Sequence, residues 1–341
     1  MKFHLNAHGK EPVYKQLVSQ VERAVHEGVL KAGEQLPSMN DVAAEYSISR
    51  ETAKKAYGIL TDRGIIVPRQ GRGFYAAELY TDINPQVLVI FDKFSVYKQI
   101  MFNSLAEHLD GKADITILNH NQSIDLLKYY LDENLGRYDY YVIAPHFPLD
   151  EQTQAKVIKQ LARIPNRKLI MIDHLQPGIK GNFGAVYQDF ENDICSGLAE
   201  GLDAASAKRH LRVITMPASL YGAIICKGVE KFSQEHNISV EFLSSVPDSI
   251  APGETFLVLN SQLDAGLVAL THKIKACGLK IGSDVRIISY NESDMNELIL
   301  GGLTTVSTDF PWMGRLAAEM IVSRRLSKVH CPFHMIRRNT F

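Results

Sequence analysis

Strand-like and helical segments alternate through most of the chain, and this alternation limits the fold more than any other feature of the sequence. The apolar runs have the length of buried strands, and the segments between them repeat apolar residues at helical spacing. The strand-like runs are 87–91, 115–118, 140–144, 168–172, 211–215, 240–243, 256–259 and 285–290, and the helical patterns are 96–109, 124–135, 221–235 and 264–277, with one more helix before residue 168. This alternation predicts an α/β domain with doubly wound parallel sheets, long enough for two lobes.

Polar residues that directly follow the predicted strands are candidates for ligand binding. In open parallel sheets, ligands bind outside the carboxyl ends of the strands. Asp92 and Tyr97 follow the first strand, His146 follows the third and Asp173 the fourth. Carboxylates and amides bond hydroxyl groups, and aromatic rings cover the apolar face of a sugar. We therefore expect a small polyol in a cleft between the lobes.

The first part of the chain carries a different pattern, in which two short helices are separated by a tight turn. Ser38 and Ser49 stand where helix N-caps are expected. A short helix, a turn and a second helix with a basic outer face form a helix-turn-helix, whose second helix contacts base edges through its N-terminal residues. The candidate DNA-contacting residues of the helices are Ser38, Ser49, Arg50, Thr52 and Lys54.

A basic hairpin is predicted directly after the second of these helices. The segments 65–67 and 74–75 are strand-like, and the loop between them supplies the candidate DNA contacts Arg69, Gln70, Gly71 and Arg72. Glycine allows the backbone to approach DNA closely, and the arginines can bind phosphate or the minor groove. From residue 50 to residue 75 there are six basic and two acidic residues, a local excess of four positive charges in a chain of net charge −1. This local excess is a candidate electrostatic footprint for nucleic acid.

These patterns divide the chain into domains. We predict an N-terminal winged helix-turn-helix over residues 1–77, a linker over 78–86 and the two-lobed domain over 87–341. The linker is inferred from its composition, which includes Thr81-Asp82 and Asn84-Pro85.

The N-terminal segment resembles the DNA-binding domain of the GntR family of bacterial regulators. The matching pieces are Pro12-Val13-Tyr14, Gly28 through Gly33, Leu36-Pro37-Ser38, Ser49-Arg50-Glu51-Thr52 and Gly64 through Gly73. The chain departs from the family at Met39 and Asn40, where members often carry Arg or Glu, and at Lys54, where Arg is common. The resemblance implies sequence-specific binding to operator DNA.

The C-terminal part resembles the effector domains of LacI-type regulators. The matching pieces are residues 279–291, 303–306 and 313–319, Val186 through Asp189, and Asn260 through Gly266 with Ser261 in place of the usual Asp. The combination is similar to the arabinose-regulator branch of the GntR family, in which a periplasmic-binding-protein-like sugar receptor replaces the usual effector domain. It implies a homodimer, joined mainly through the second domain, that reads a palindromic operator.

This resemblance also extends the set of candidate effector-binding residues. The added residues are Asp189, Tyr221, Asn260 and Asn291. The family often places an arginine at the position of Ile225. The apolar side chain there suits a methyl group or a ring without an exocyclic hydroxymethyl group. The expected effector is therefore a pentose or a deoxyhexose, or a phosphate of one.

Other kinds of site are not indicated by the sequence. Cys195, Cys226, Cys277 and Cys331 are too far apart for a disulfide framework or a zinc ribbon. His330, Cys331 and His334 have the spacing of metal ligands, but side-chain alternation along a strand explains them as well. The residues from Gly71 to Ala76 fit the dinucleotide pattern G-x-G-x-x-A, yet strand-like residues follow where a helix would be required. With no P-loop, G-x-S-x-G or H-E-x-x-H either, we expect neither catalysis nor a cofactor.

Two alternative functions have specific features against them. A transport receptor would not carry a DNA-binding head, and residues 1–10 lack the apolar segment of a signal peptide. An enzyme with a regulatory head would need a nucleophile and base pattern. No apolar run approaches the roughly 20 residues of a membrane span. We expect a cytoplasmic regulator, and more specifically a repressor, of carbohydrate catabolism genes; the alternative effector is a non-sugar metabolite.

Overall fold

A computed structural model describes residues 3–6, 11–26, 29–77, 84–202, 210–215, 219–259 and 265–341. The described residues up to Pro85, together with Ser323–Leu326, form one compact unit. Gln86–Val322 and Ser327–Phe341 form the second unit. Asn260, one of the candidate effector-binding residues, lies outside the described part of the chain.

The first unit is a winged helix-turn-helix, which confirms the predicted fold. Its elements are α1 (Val13–His26), α2 (Met39–Glu45), α3 (Arg50–Asp62), β1 (Ile66–Arg69) and β2 (Gly73–Ala76). The two strands form an antiparallel hairpin in which Arg69 pairs with Gly73. Ala53, Ala56, Tyr57 and Leu60 form the buried face of α3, as their helical spacing predicts. The opposite face of α3 remains in solvent.

The first lobe of the second unit is built on a six-stranded, all-parallel sheet. Its strands are β3 (Gln86–Phe91), β4 (Asp114–Asn119), β5 (Tyr140–Ile143), β6 (Leu169–Asp173), β7 (Gly184–Tyr187) and β13 (Lys328–His330), in the spatial order β13-β7-β6-β5-β3-β4. The helices of this lobe are α4 (Val96–Leu109), α5 (Ile124–Asn134), α6 (Glu151–Leu161) and α10 (Phe310–Ser323). We call this assembly lobe 1. Its central strands are apolar throughout because helices cover both faces of the sheet.

The second lobe repeats this plan with one antiparallel edge strand. Its strands are β8 (Leu211–Ile214), β9 (Val240–Leu243), β10 (Thr255–Val258), β11 (Arg286–Tyr290), β12 (Thr304–Thr308) and β14 (Phe333–Ile336), in the order β14-β12-β11-β10-β8-β9. Only β14 runs antiparallel, along β12. The helices are α7 (Phe190–Gly201), α8 (Gly222–His236) and α9 (Ala265–Ala276). We call this assembly lobe 2; together the lobes confirm the predicted two-lobed, parallel-sheet fold.

The described chain crosses between the lobes at three places. The crossings follow β7 at Gln188, β12 at Thr308 and β13 at Cys331. The backbone N–H of Asp309 donates to Pro332 O at 3.0 Å, and that of Cys331 donates to Tyr187 O at 2.8 Å, so the crossings are bonded to one another. Sequence periodicity did not predict α7, and it did not show that the strand expected near the C-terminus is two strands, one in each lobe. A three-residue strand such as β13 is too short to carry a readable period.

Candidate DNA-binding surface and ligand cleft

The start of α3 is held by side-chain caps, and this arrangement leaves Arg50 exposed at the first helical position. Ser49 Oγ accepts a hydrogen bond from the backbone N–H of Thr52 at 3.0 Å and lies 2.8 Å from Thr52 Oγ1. Ser38 caps α2 through a reciprocal pair of 3.1 Å bonds with Asp41. Such caps contribute about 1 kcal/mol each, and they orient the helix end that would face bases.

Not every cation in the basic stretch is available for DNA. Arg63 Nη1 lies 2.5 Å from the Glu22 carboxylate on α1, and the Lys55 ammonium lies 4.1 Å from the centre of the Tyr14 ring. Lys54 makes only an exposed 3.7 Å pair with Glu51. Within the basic stretch, the cations most available to bind DNA are therefore Arg50 and the arginines of the hairpin loop.

The hairpin loop presents all four of its predicted contact residues to solvent. Gly71 has φ +69°, a backbone conformation that disfavours other residues, and it makes the tight turn. The Arg72 carbonyl accepts a 2.8 Å hydrogen bond from Gln35 Nε2, which fixes the loop against the preceding chain. The Arg69 guanidinium lies 4.5 Å from the Tyr75 ring centre. The loop is thus exposed and cationic, the properties expected of a DNA-contacting wing.

Buried charged groups lie at the carboxyl ends of the lobe 1 strands. Asp92 and Asp173 are 1% and 4% exposed, and a buried lysine, Lys98, lies between them. The Lys98 ammonium donates to the Asp173 carboxylate and is 3.7 Å from Asp92 Oδ1. Burial alone would raise the pKa of Asp173, but the Lys98 charge and the nearby His146 outweigh it and hold that pKa well below its usual range. His146 Nδ1 is 3.5 Å from the same carboxylate.

Sequence reasoning missed Lys98, although the sequence contained a signal for it. Lys98 lies on the face of α4 that also carries Met101, Leu105 and Leu109, all of them buried. Lys98 shares helical spacing with three apolar residues, so it is buried when that face of α4 packs, and a buried ammonium requires a counter-charge. That observation would have placed an anion beside the helix.

Tyr221, from lobe 2, contacts the buried charged groups of lobe 1 through His146. Its ring stacks on Phe190 at 4.3 Å and meets His146 edge-on at 4.5 Å, with His174 at 5.1 Å. Its hydroxyl is buried and bonds no described residue. Burial, and after it the charge of Asp173, raises the pKa of this hydroxyl, so it remains a hydrogen-bond donor at neutral pH.

Two predicted ligand residues occupy equivalent, strained positions in the two lobes. Asp173 ends β6 with φ +75°, and Asn291 follows β11 with φ +72°. Left-handed backbone at non-glycine residues is uncommon, tolerated best by Asp and Asn, and found at functional sites. Asn291 Oδ1 is buried and accepts no hydrogen bond from a described residue. Both residues therefore hold an uncommon backbone conformation at the carboxyl ends of corresponding strands in the two lobes.

The remaining candidates have other contacts. Tyr97 stacks on Phe310 of α10 at 5.4 Å, inside lobe 1. Asp189 caps α7, accepting hydrogen bonds from the backbone N–H and the side-chain amide of Asn192. The structure therefore gathers Asp92, His146, Asp173 and Tyr221 into one cluster, and shows no contact of Asp189 with it.

The residues near the C-terminus that have metal-ligand spacing do not converge. His330 pairs with Asp193 at 2.6 Å, whereas His334 lies 3.1 Å from Glu200. Within the described ranges no group of three or more His, Cys, Asp or Glu side chains is placed to hold a metal ion. Likewise, no helix in the described part of the chain is long and apolar enough to span a bilayer.

Comparison with known proteins identifies both parts of the chain. Residues 13–76 match the bacterial regulatory proteins of the gntR family, and residues 224–339 match the periplasmic binding protein-like domain. The chain is 31% identical over 88 residues to the HTH-type transcriptional repressor YtrA of Bacillus subtilis (strain 168), covering 26% of this chain and 64% of that protein. It is 29% identical over 85 residues to the mannosyl-D-glycerate transport/metabolism system repressor MngR of Escherichia coli (strain K12), covering 25% and 35%. The matches thus span less than two thirds of either relative.

Solved structures show the same fold for the larger unit. The Lac repressor bound to ONPG has a TM-score of 0.58 at 16% identity, covering 86% of this chain and 90% of that one. The trehalose repressor of Escherichia coli gives 0.57 at 14% identity, covering 74% and 100%. A periplasmic binding protein/LacI transcriptional regulator from Alkaliphilus metalliredigens QYMF, in complex with D-xylulofuranose, gives a TM-score of 0.54 at 14% identity, covering 75% of this chain and 99% of that one. The chain therefore carries a GntR-type helix-turn-helix and a periplasmic-binding-protein-like domain.

Proposed function

We propose that this chain, with a GntR-type DNA-binding domain joined to a LacI-like two-lobed domain, is a transcription regulator controlled by a small sugar. The observation that carries the proposal is that one chain combines an exposed, capped recognition helix with a cleft in which several buried polar atoms have no hydrogen-bond partner among the described residues. These atoms belong to Asp92, His146, Tyr221 and Asn291. The first is the geometry that reads bases, and the second is the geometry of a small-molecule site.

The DNA-binding role rests on Arg50 and on the hairpin loop. Arg50 stands at the N-terminus of α3, where a side chain reaches base edges, and Arg69 and Arg72 extend from the wing toward phosphate or the minor groove. Ser38 and Ser49 serve this surface chiefly by capping the helices, since their hydroxyls bond backbone N–H groups. We propose repression as the outcome, as in the named repressor relatives.

The effector role rests on the cluster of Asp92, His146, Asp173 and Tyr221 and on Asn291. Carboxylate and amide oxygens accept hydrogen bonds from sugar hydroxyls, and the Tyr221 hydroxyl, which bonds no described residue, can donate one. Ile225 stands where the family often has an arginine, and it packs in the hydrophobic core of lobe 2. We keep a pentose or deoxyhexose as the proposed effector because an arginine is missing at this position. A sugar that binds one arrangement of the lobes better than another would shift operator affinity. We assign the regulated genes to carbohydrate catabolism.

The direct test combines DNA selection with a ligand screen. Rounds of selection from random duplexes identify the operator, and fluorescence anisotropy measures its affinity with and without each sugar. A thermal-shift screen over monosaccharides identifies the effector, because a ligand at ~100 times its Kd stabilises by roughly 2.7 kcal/mol. Failure to enrich any DNA sequence would refute the proposed role as a transcription regulator. Enrichment of DNA, with stabilisation only by an amino acid or nucleoside, would refute the sugar effector alone.

Oligomeric state belongs to the same proposal. One winged domain buries little DNA surface, and two-fold proteins read palindromes. We propose a homodimer formed mainly through the second unit and a selected sequence with two inverted half-sites. Sedimentation of a monomer at micromolar concentration, together with a single half-site in the selected DNA, would contradict it.

A further inference from the structure

The cleft end of lobe 1 holds more buried negative than positive charge. Asp92, Asp173 and Lys98 are all at most 6% exposed, so two carboxylates share one ammonium. That ammonium bonds Asp173 directly and approaches Asp92 Oδ1 only to 3.7 Å. Because a buried charge is costly unless paired and hydrogen-bonded, Asp92 is the unsatisfied member of this group.

Two histidines of this region, the buried His120 and the half-buried His174, do not supply the missing cation. Burial lowers the pKa of His174 to about 4, although the neighbouring Asp173 opposes the shift. Burial likewise lowers the pKa of His120 to about 4, and its Nδ1 accepts a 3.0 Å hydrogen bond from the Gln122 N–H. Both imidazoles are therefore neutral at pH 7 and do not balance the second carboxylate. The third histidine of this region, His146, lies 3.5 Å from the carboxylate of Asp173, which already has Lys98 as its partner, and forms no ion pair with Asp92.

The unpartnered oxygens on the two sides of the cleft call for hydrogen-bond donors. Asp92 Oδ1 in lobe 1 and Asn291 Oδ1 in lobe 2 are both buried and accept no hydrogen bond from a described residue. Both oxygens can only accept hydrogen bonds. A buried acceptor without a hydrogen bond costs free energy, which a bond from a ligand hydroxyl would recover. An anionic group would instead place like charge beside Asp92.

We infer that the cleft selects an uncharged polyol and excludes the phosphate or carboxylate of the same sugar. This inference rests on the proposed sugar effector and settles its charge, which the sequence left open. Like charges brought together at a binding surface cost several kcal/mol. Since each tenfold in affinity corresponds to about 1.4 kcal/mol, the anionic form binds at least about 100-fold more weakly.

Calorimetry with matched pairs tests this selection. D-xylose is compared with D-xylose 1-phosphate, L-arabinose with L-arabinose 1-phosphate, and L-fucose with L-fucose 1-phosphate, so that both members of a pair keep the pyranose ring. The methyl glycoside of each sugar, uncharged but also substituted at C1, is the control. All measurements are made at pH 8, above the ordinary pKa of histidine. In any pair that binds, the neutral member is expected to bind at least about 100-fold more tightly. In Asp92→Asn, which removes the excess negative charge, the ratio between the affinities for the neutral and the anionic member of a pair should become smaller. An anion that binds as tightly as its neutral partner overturns the inference.

A second measurement needs no ligand. Asp173→Asn removes the direct partner of Lys98, whereas Asp92→Asn removes only the excess carboxylate. Thermal unfolding of the full chain is therefore expected to show a marked fall in Tm for Asp173→Asn and a much smaller fall, or a rise, for Asp92→Asn. Equal falls in the two variants would overturn the charge assignment. A panel in which no sugar binds would refute the proposed effector while this comparison still decides the charge of the cleft.

Discussion

The side-chain amide of Gln188 donates a hydrogen bond to the carboxylate of Asp173, which ties the first crossing between the lobes to the cleft. The same amide group accepts a 2.6 Å hydrogen bond from Thr308 Oγ1 at the second crossing. Asp173 also holds Lys98. One buried side chain, that of Gln188, is therefore bonded to the cleft carboxylate and to the residue at the second crossing.

Replacing Gln188 should weaken both stability and signalling. Gln188→Leu removes one of the partners of the Asp173 carboxylate, which keeps Lys98, and removes the acceptor of the Thr308 hydroxyl, so unfolding by urea should show a loss of about 1–3 kcal/mol. The effect of a bound sugar on operator affinity, measured by anisotropy, should shrink. Gln160→Leu is the matched control, because Gln160 is also 8% exposed but lies on α6, away from the crossings. A full ligand response in Gln188→Leu would show that the crossings do not depend on this bond.

The Asp193–His330 pair predicts a specific pH dependence. Asp193 on α7 is 2% exposed and lies 2.6 Å from His330 on β13, so the pair joins the two lobes. Burial raises the pKa of Asp193 to about 6, against the opposing charge of His330. Because the folded-state pKa exceeds the unfolded value near 3.9, this carboxyl group stabilises the fold below about pH 4. That contribution is lost as pH rises through 6, and it amounts to at most about 3 kcal/mol.

Asp193→Asn should remove this dependence. As the pH is raised from 4 to 6, the wild type should lose the contribution of Asp193 to its free energy of unfolding, whereas the variant has none to lose. The difference in free energy of unfolding, variant minus wild type, should therefore increase over this range, as measured by urea titrations at each pH. Asp248→Asn, an exposed carboxylate in the same unit, is the control and should follow the wild type. A constant difference between Asp193→Asn and the wild type across this range would mean that Asp193 does not titrate there.

Three arginine-to-alanine substitutions in the first unit remove the same charge with different expected results. Arg50→Ala should weaken binding to the selected operator by roughly 1–3 kcal/mol and relax the preference for one base. Arg72→Ala should weaken binding to all duplexes and lower the salt slope by about one unit. Arg63→Ala should leave operator affinity intact, because Arg63 is paired with Glu22. Equal losses in all three variants would point to overall charge rather than to a defined surface.

Substitution by alanine should lower the stability of the protein at Gly228 and raise it at Gly58. A Cβ at Gly228 on α8 would lie 2.2 Å from the Glu191 carbonyl and 2.4 Å from Ile194 Cγ2, so α7 and α8 must separate. Gly228→Ala is expected to destabilise by about 1–3 kcal/mol. Gly58 on α3 has no atom within 4 Å of such a Cβ, and Gly58→Ala should stabilise its helix by about 0.4–1 kcal/mol. Thermal unfolding of each variant measures both, and a stable Gly228→Ala would contradict the close helix contact.

The local elements could be predicted from the sequence because their signals are local. The predicted helix 96–109 coincides with α4, and the spacing of Ala53, Ala56, Tyr57 and Leu60 identified the buried face of α3. Hydrophobic period and helix caps depend on residues a few positions apart, so one sequence is enough to see them. The same holds for the positions of Asp92 and Asp173 after their strands.

Only the tertiary structure decided which of these residues meet. Lys98 and Asp173 are 75 residues apart in the chain, and Gln188 and Thr308 are 120 apart. Their contact depends on the order of strands in the sheets and on where the chain crosses between the lobes, which no local period encodes. Burial then sets the chemistry: the same aspartate is an ordinary loop residue in water, and becomes an unsatisfied charge when helices exclude water from the strand ends. The sequence by itself determined the helices, the strands and the positions of polar residues along them. Long-range packing determined which of these residues are buried together and therefore the charge of the cleft.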